Sequence, residues 1–297
     1  MRLLGYRYQR TLARAAEMAG PGFLTGAPIR ARFVPAPADA GVVFVRTDRP
    51  GAAPIPARAE YVTDTRRRTT LGPAEAGVTL VEHVLAALSG LRVDNCVVEL
   101  DGPEPPGLDG SAKGFVEALV DAGIELQPKR RAVLTPTAPV VAAKAGATVA
   151  IHPGDTPALT VSYVLDYGRS GPIPRQAVSV DLMPESFTRE LAGCRTFLLE
   201  EEAVVLRAQG IGPHLTAADV LVFGRFGVTG NRLRFADEPA RHKVLDLVGD
   251  LALTGADLAG HIVAYRSGHA LNVELAKLLA RRVPVAVEPP RGRLRAA

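Results

Sequence analysis

The stretch Asp237-Glu238-Pro239-Ala240-Arg241-His242-Lys243-Val244-Leu245-Asp246-Leu247-Val248-Gly249-Asp250-Leu251 decides how this chain is read. Asp237 supplies an N-cap, Pro239 an early-helix proline and Thr254-Gly255 a stop, so the spacing predicts a helix from about Glu238 to Leu253. His242, Asp246 and Asp250 stand four apart and stack on one face, with Lys243 at its margin. Val244, Leu245, Leu247, Val248 and Leu251 fill the opposite arc. Two readings fit this pattern. One is an ordinary amphipathic helix with a solvated polar face. The other is half a metal site, since His and Asp at i, i+4 can hold one ion. A third protein ligand would then leave a position open for water.

Working outward, a strand at His261 to Tyr265 and a helix from about Leu271 to Leu279 follow. Before it, strand-like runs lie at Thr148 to Ile151, Leu159 to Leu165 and Ala177 to Leu182. The first half has comparable parts. Strands are expected at Gly41 to Val45 and at Cys96 to Leu100, ended by Asp101-Gly102. Helices are expected at Leu80 to Ser89 and about Ala112 to Ala122. This order suggests α+β layers rather than a doubly wound sheet. Gln127-Pro128-Lys129-Arg130-Arg131 reads as a linker, because charge and proline interrupt two apolar patterns there. The expected organisation is two α+β domains, 1–127 and 131–287, with a frayed tail at 288–297 carrying Pro289, Pro290 and three arginines. Similar content on both sides of residue 130 hints at a duplication, although the two halves show no clear sequence similarity.

Composition sets the limits. The 297 residues are 47% hydrophobic and 22% charged, enough for a buried core and two domains, and general disorder is excluded. No apolar run approaches the roughly 18 residues of a membrane span. Arg and Tyr break the apolar stretches of the N-terminus, so it does not read as a signal peptide. Cys96 and Cys194 lie far apart, which excludes a disulfide framework or a cysteine zinc site and makes a reducing cytoplasm the expected setting. The 35 basic and 31 acidic residues leave a net charge of +4. Its clusters, at Arg66-Arg67-Arg68, Lys129-Arg130-Arg131 and around Arg291 to Arg295, are not interleaved with aromatics. A small anion fits them at least as well as nucleic acid, which is not expected as a partner.

Two further segments carry chemistry. Thr79-Leu80-Val81-Glu82-His83 can be a capping box, with Thr79 as N-cap and Glu82 reaching back. Yet His83 falls beside Ala86 and Ala87 on a helical wheel, which leaves it open to approach. His83 could therefore be the third ligand to a metal held by His242 and Asp246, with Glu82 free to act on bound water. In Ser267-Gly268-His269-Ala270-Leu271-Asn272, His269 starts a helix, whose positive end favours the neutral ring; a carboxylate such as Asp250 would raise its pKa again.

In this order these segments resemble the UDP-3-O-acyl-N-acetylglucosamine deacetylase family, zinc amidases of lipid A biosynthesis. The likeness runs from about Gln9 to Leu279. It includes Gln9-Arg10-Thr11-Leu12, Pro35-Ala36-Pro37-Ala38, Arg46-Thr47-Asp48, Glu82-His83 and Asp94-Asn95. It continues through Leu108-Asp109-Gly110-Ser111, Arg195-Thr196-Phe197, Leu233-Arg234-Phe235 and the segments around His242 and His269. The resemblance implies two similar domains, each a small sheet with two helices. The helices pack between the sheets, and the active site lies at the domain junction. It implies Zn2+ on His83, His242 and Asp246, with Glu82 as general base and His269 as general acid oriented by Asp250. Thr196 would donate to the oxyanion and Lys243 would meet substrate oxygens. Phe197 would contact substrate, and Asp166-Tyr167 falls at the uracil end. The implied partner is an acylated UDP-sugar met by a cytoplasmic monomer with at most peripheral membrane contact.

Three positions depart from the family pattern. Leu24-Thr25-Gly26 stands where the family usually has His-Thr-Gly, so a polar group near the reacting centre is missing. His214-Leu215-Thr216 replaces a Gly-Gly-Ser turn in the second-domain insert that encloses the acyl chain. Leu198-Leu199 follows Phe197 where a second aromatic is usual. Acyl length therefore stays open. So do a zinc amidase acting on another N-acetyl sugar and a non-catalytic paralogue that binds a sugar nucleotide.

Overall fold

The computed structural model describes residues 1–283 apart from Ser170 and Pro213, so the tail expected at 288–297 lies outside the described residues. The chain begins with β1 (Arg2–Leu12), β2 (Ala16–Pro21), β3 (Pro28–Pro35), β4 (Val42–Arg46) and β5 (Ile55–Pro56). Short strands β6 (Val62–Asp64), β7 (Thr70–Leu71) and β8 (Val78–Thr79) lead into α1 (Glu82–Gly90), β9 (Cys96–Leu100) and α2 (Lys113–Ala122). Then come β10 (Ile124–Thr135), β11 (Val140–Lys144), β12 (Ala147–His152), β13 (Leu159–Leu165), β14 (Gln176–Asp181) and a short α3 (Pro184–Ser186). Next are β15 (Phe197–Leu199), α4 (Glu200–Ala208), β16 (Leu221–Gly224) and β17 (Gly227–Val228). The last described elements are α5 (Glu238–Ala252), β18 (Asp257–Leu258), β19 (Gly260–Tyr265) and α6 (His269–Ala280).

The expected α+β class is what these elements form. The strands read as strands because their apolar residues alternate. In β3, Ile29, Ala31 and Phe33 point inward and are buried, while Arg30 and Arg32 stay exposed. One five-stranded sheet has the order β2-β3-β9-β4-β5 and another the order β11-β12-β19-β13-β14. In the first, β9 runs parallel to β4 and antiparallel to β3. In the second, β19 runs parallel to β13 and antiparallel to β12. Each of these central strands is preceded and followed by a helix: α1 and α2 in the first half, α5 and α6 in the second. The two halves thus share one connectivity, which the sequence only hinted at.

Helix α2 packs on β2 and α1, helix α6 packs on β11 and α5, and α1 meets α5. Val84, Leu85, Ala86, Ala87 and Leu88 are all buried, so α1 is apolar nearly all round, as a helix enclosed by other elements must be. Among the described residues no helix is long and apolar enough to cross a membrane.

One expectation is corrected. Residues 127–131 are not an irregular linker but lie within β10, which pairs antiparallel with β1. The register shifts between Tyr8↔Arg130 and Arg10↔Leu126, so Pro128 sits where the ladder is interrupted and no hydrogen bond is lost. Ion pairs compensate the charges: Lys129 pairs with Asp39, and Arg131 lies 3.3 Å from Asp94 and 3.2 Å from Asp257. Arg7 on β1 binds Asp94 through two contacts of 2.7 Å and also Asp257. Burial works against the Asp257 charge, but Arg131 and Arg7 outweigh it and hold the carboxyl below its usual range.

Arg7→Ala is expected to lower stability by about 3 kcal/mol, the low end for breaking a buried pair, because Arg131 remains beside both carboxylates. A shift in the denaturation midpoint measures it. Because the folded-state pKa of Asp257 is depressed, its contribution is present above the unfolded value of about 4 and is lost as pH falls through the folded value. The variant should therefore lose less stability than wild type on acidification from pH 5 to pH 2.

Candidate metal centre and active-site cavity

The site begins with a helix crossing. At Gly249 a Cβ would collide with the carbonyl oxygen of Glu82, so only glycine lets α5 approach the first turn of α1 this closely. Leu80, just before α1, has φ of 56°, a left-handed turn that swings the chain into the helix. The capping-box reading of this segment does not hold. Thr79 lies in β8 paired with Thr70, and Val81 takes the N-cap position. The Glu82 carboxylate is thereby free to face the site. The solvated-face reading of α5 fails as well: His242, Asp246 and Asp250 are only 2%, 2% and 0% exposed.

His83, His242 and Asp246 converge, with one ligand atom from each lying within 4.8 Å of the others. His242 Nε2 is 3.3 Å and His83 Nε2 3.5 Å from Asp246 Oδ1. Among the described residues, Asp246 Oδ1 is a buried polar atom with no hydrogen-bond partner. Lys243 Nζ donates to the other oxygen, Oδ2, at 2.9 Å. A buried carboxylate oxygen is costly to leave unsatisfied, and a cation between it and the two imidazoles would satisfy it. His242 Nδ1 lies 3.1 Å from the Cys194 carbonyl; donation there leaves the Nε2 lone pair facing the cluster. Burial pushes the His242 pKa down to about 3, which keeps the ring neutral as a ligand requires. Burial opposes the Asp246 charge, yet its neighbours, with the Lys243 ammonium donating to Oδ2, hold its carboxyl well below the usual range. The donor set, two imidazoles and one carboxylate, fits a divalent transition metal.

Beside it lies a buried network of titratable side chains. Glu82 Oε2 accepts a hydrogen bond from the Thr69 backbone N–H at 3.0 Å, and Oε1 is 4.0 Å from His269 Nε2. Burial raises the Glu82 pKa. His269 Nδ1 is 2.9 Å from Asp250 Oδ2, to which Asn272 also donates at 2.9 Å, while the Thr69 hydroxyl donates to Oδ1 at 2.6 Å. Burial works against the His269 charge, but Asp250, Glu82 and Asp246 win and raise its pKa to about 9. Thr69 was missed in the sequence because it lies in an isolated loop position with no periodic signal. Its partners, Glu82 and Asp250, are 13 and 181 residues away.

The segment from Cys194 to Phe197 is brought here by a buried ion pair. Arg195 Nε donates to Glu238 Oε1 at 2.9 Å, and Glu238 is fully buried at the start of α5. Thr196 and Phe197 then line a cavity of about 700 Å³ together with Glu82, His83, Lys243 and His269. Lys243 Nζ sits 5.3 Å from the Phe197 ring centroid, and Phe197 packs edge-on against Tyr167 and His242. Tyr167 is in the wall, whereas Asp166 is not. It accepts from the Tyr265 hydroxyl at 2.8 Å and lies 3.7 Å from Arg175. The departures fall on the same cavity: Leu24, Leu198 and Leu215 line it, and the His214 ring packs against Gly26. Leu206, Ile211 and Val222 extend an apolar wall that the sequence did not reveal. Arg67, Arg68, Lys144 and Arg207 supply positive charge to the lining, with Arg67 paired to Glu202 at 3.0 Å.

Gly249→Ala is expected to cost about 1–3 kcal/mol through overpacking and to weaken metal binding, because His83 and Asp246 must move apart. Denaturation and a chelator-competition titration check the two effects. An unchanged midpoint with unchanged affinity contradicts this account of the helix crossing.

Comparison with known proteins bears on what this cluster belongs to. The family described as UDP-3-O-acyl N-acetylglycosamine deacetylase (LpxC) matches residues 9–281. The chain is 41% identical over 270 residues to the UDP-3-O-acyl-N-acetylglucosamine deacetylase of Anaeromyxobacter dehalogenans, covering 91% of this chain and 86% of that protein. It is 38% identical over 273 residues to the enzyme of the same name from Anaeromyxobacter sp. strain Fw109-5, covering 92% and 88%. A bifunctional enzyme LpxC/FabZ of Chlorobaculum tepidum is 40% identical over 303 residues, covering 92% of this chain and 64% of that longer protein. With so much of its length matched, the chain belongs to the UDP-3-O-acyl-N-acetylglucosamine deacetylase family.

Proposed function

We propose that this protein removes the N-acetyl group from UDP-3-O-acyl-N-acetylglucosamine, releasing acetate and a free glucosamine amine, as a zinc-dependent step of lipid A biosynthesis in the cytoplasm. The observation that carries the reading is the unsatisfied Asp246 Oδ1 between two imidazoles, directly beside Glu82 and His269. His83, His242 and Asp246 would hold the zinc. When bound, zinc lowers the pKa of a water and polarises the amide carbonyl.

The chain's own residues supply the rest. Glu82 takes a proton at Oε1, since Oε2 is held by the Thr69 N–H, and its raised pKa brings it nearer the working range of a general base. His269, charged at neutral pH and fixed by Asp250, carries a proton on Nε2 for the departing amine. The Thr196 hydroxyl, with no side-chain partner among the described residues, donates to the oxygen where negative charge develops. Lys243 holds Asp246 ionised and offers further protons to substrate oxygens. Thr69 and Asn272 position Asp250 and Glu82 without touching substrate.

The cavity supports an acylated sugar nucleotide. Its apolar wall suits a hydrocarbon chain, and Arg68 and Lys144 suit phosphate. We assign Phe197 and Tyr167 to the sugar and nucleotide path, and Asp166 to a supporting position at its end. We take residues 1–127 and 131–287 as two domains sharing one active site, and a monomer as the working unit, with no nucleic acid as partner.

Mass spectrometry of UDP-3-O-acyl-N-acetylglucosamine incubated with zinc-loaded protein tests this. Loss of one acetyl group per sugar is expected, abolished by chelation and restored by zinc. Glu82→Gln should lower kcat by about 10²–10⁴ fold while zinc content is retained, whereas Asp246→Asn should lose the zinc itself. Turnover of non-acylated sugars only overturns the acyl assignment, and full activity in Glu82→Gln overturns the assigned chemistry.

A further inference from the structure

A second cavity, of about 400 Å³, shares no lining residue with the first. Its size falls within the roughly 300–1,000 Å³ of small-molecule sites. The C-terminal half of α5 contributes Val248, Leu251 and Ala252 to its wall, and the end of α1 contributes Ser89 and Gly90. Most of the remaining surface is aliphatic, from Val133 on β10, Leu159 on β13 and Leu258 on β18.

Its charge is not balanced. Arg7, Arg92 and Asp257 all line it. Arg7 and Arg131 are committed to Asp94 and Asp257 through the ion pairs between β1, β10 and β18. Arg92 is the guanidinium left over. Among the described residues no carboxylate lies within 4.0 Å of it, and its side chain donates only to Met183 Sδ at 3.3 Å, a weak acceptor. Asp257 and Glu185 act on it at longer range, opposed by Arg7 and Arg10. Arg92 also has φ of 57° just beyond the end of α1, a position that glycine favours. Helix capping alone does not call for arginine there. Burial, with Arg7 nearby, pushes the Arg92 pKa down, the signature of a cation that lacks a counter-ion.

We propose that this cavity binds a single-chain amphiphile with a carboxylate head, the head at Arg92 and the tail along Val133, Leu159, Val248 and Leu258. A carboxylate matches the guanidinium fork, and one negative charge matches the one uncommitted cation. A doubly charged head would meet repulsion from Asp257. The ligand would lie behind the helix pair whose other faces carry His83, His242 and Asp246. The inference does not rest on the deacetylase reading.

Methionine methyl NMR provides the test, because the chain has three methionines and Met183 lines this cavity while Met18 lies on β2. With 13C-methyl-methionine protein, titrated decanoate is expected to shift the Met183 signal saturably and leave Met18 in place. Arg92→Gln should weaken that binding about tenfold, the loss of one charge-assisted hydrogen bond, and Ala252→Phe should block it. Decylamine, with the same tail and the opposite charge, should give no saturable shift. An unmoved Met183 signal, as when decanoate enters only the first cavity, overturns the proposal. So does equal affinity for decylamine, or for Arg92→Gln with its Met18 signal at the wild-type position.

Discussion

The closest approach in the molecule that matters for chemistry is the backbone of Gly249 against the carbonyl of Glu82. Each of the two similar halves supplies one helix to it. Because α1 and α5 touch at their backbones, His83, next to Glu82 on one helix, meets Asp246 and His242, one and two turns before Gly249 on the other. Glu82, whose own carbonyl makes the contact, then has its carboxylate beside the cluster. A larger residue at Gly249 would force the two helices apart and separate His83 from His242 and Asp246.

The second constraint is electrostatic. Glu82, Asp246, Asp250, His242 and His269 are all buried, and burial alone would neutralise each of them. The neighbours decide otherwise, and differently at each place. Lys243 keeps Asp246 charged, Asp250 keeps His269 charged, and burial prevails at His242 and Glu82. The outcome is a neutral His242, an anionic Asp246, a Glu82 carboxyl raised above its usual range and a cationic His269 within one cluster. Such an arrangement is costly to folding unless every partner is present; Thr69 holds both Glu82 and Asp250, and Asn272 donates to Asp250 while accepting from Ser267.

Much of this was legible in the sequence where periodicity and burial agree. The alternation in β13 and β19, and the caps and apolar arc of α5, mark those elements within a residue or two. The His242/Asp246 pair of α5 was visible as spacing, although spacing alone could not separate a buried cluster that could hold a metal from a solvated face. The pairing of β1 with β10 was not legible. Its strands are rich in Arg and Lys, their register is interrupted twice, and Arg7 and Arg131 are stabilised by Asp94 and Asp257 from distant segments. Thr79 and Glu82 matched a helix cap locally, but the sheet claimed Thr79 and the site claimed Glu82. The apolar wall around Leu206 and Ile211 was hidden because it is assembled from short, irregular pieces.

The most direct test of the helix-crossing account is anomalous X-ray scattering from zinc-soaked crystals, collected at the zinc edge. The account predicts a single strong peak bounded by His83 Nε2, His242 Nε2 and Asp246 Oδ1. A peak elsewhere, or none between these three atoms with zinc present in excess, would contradict it.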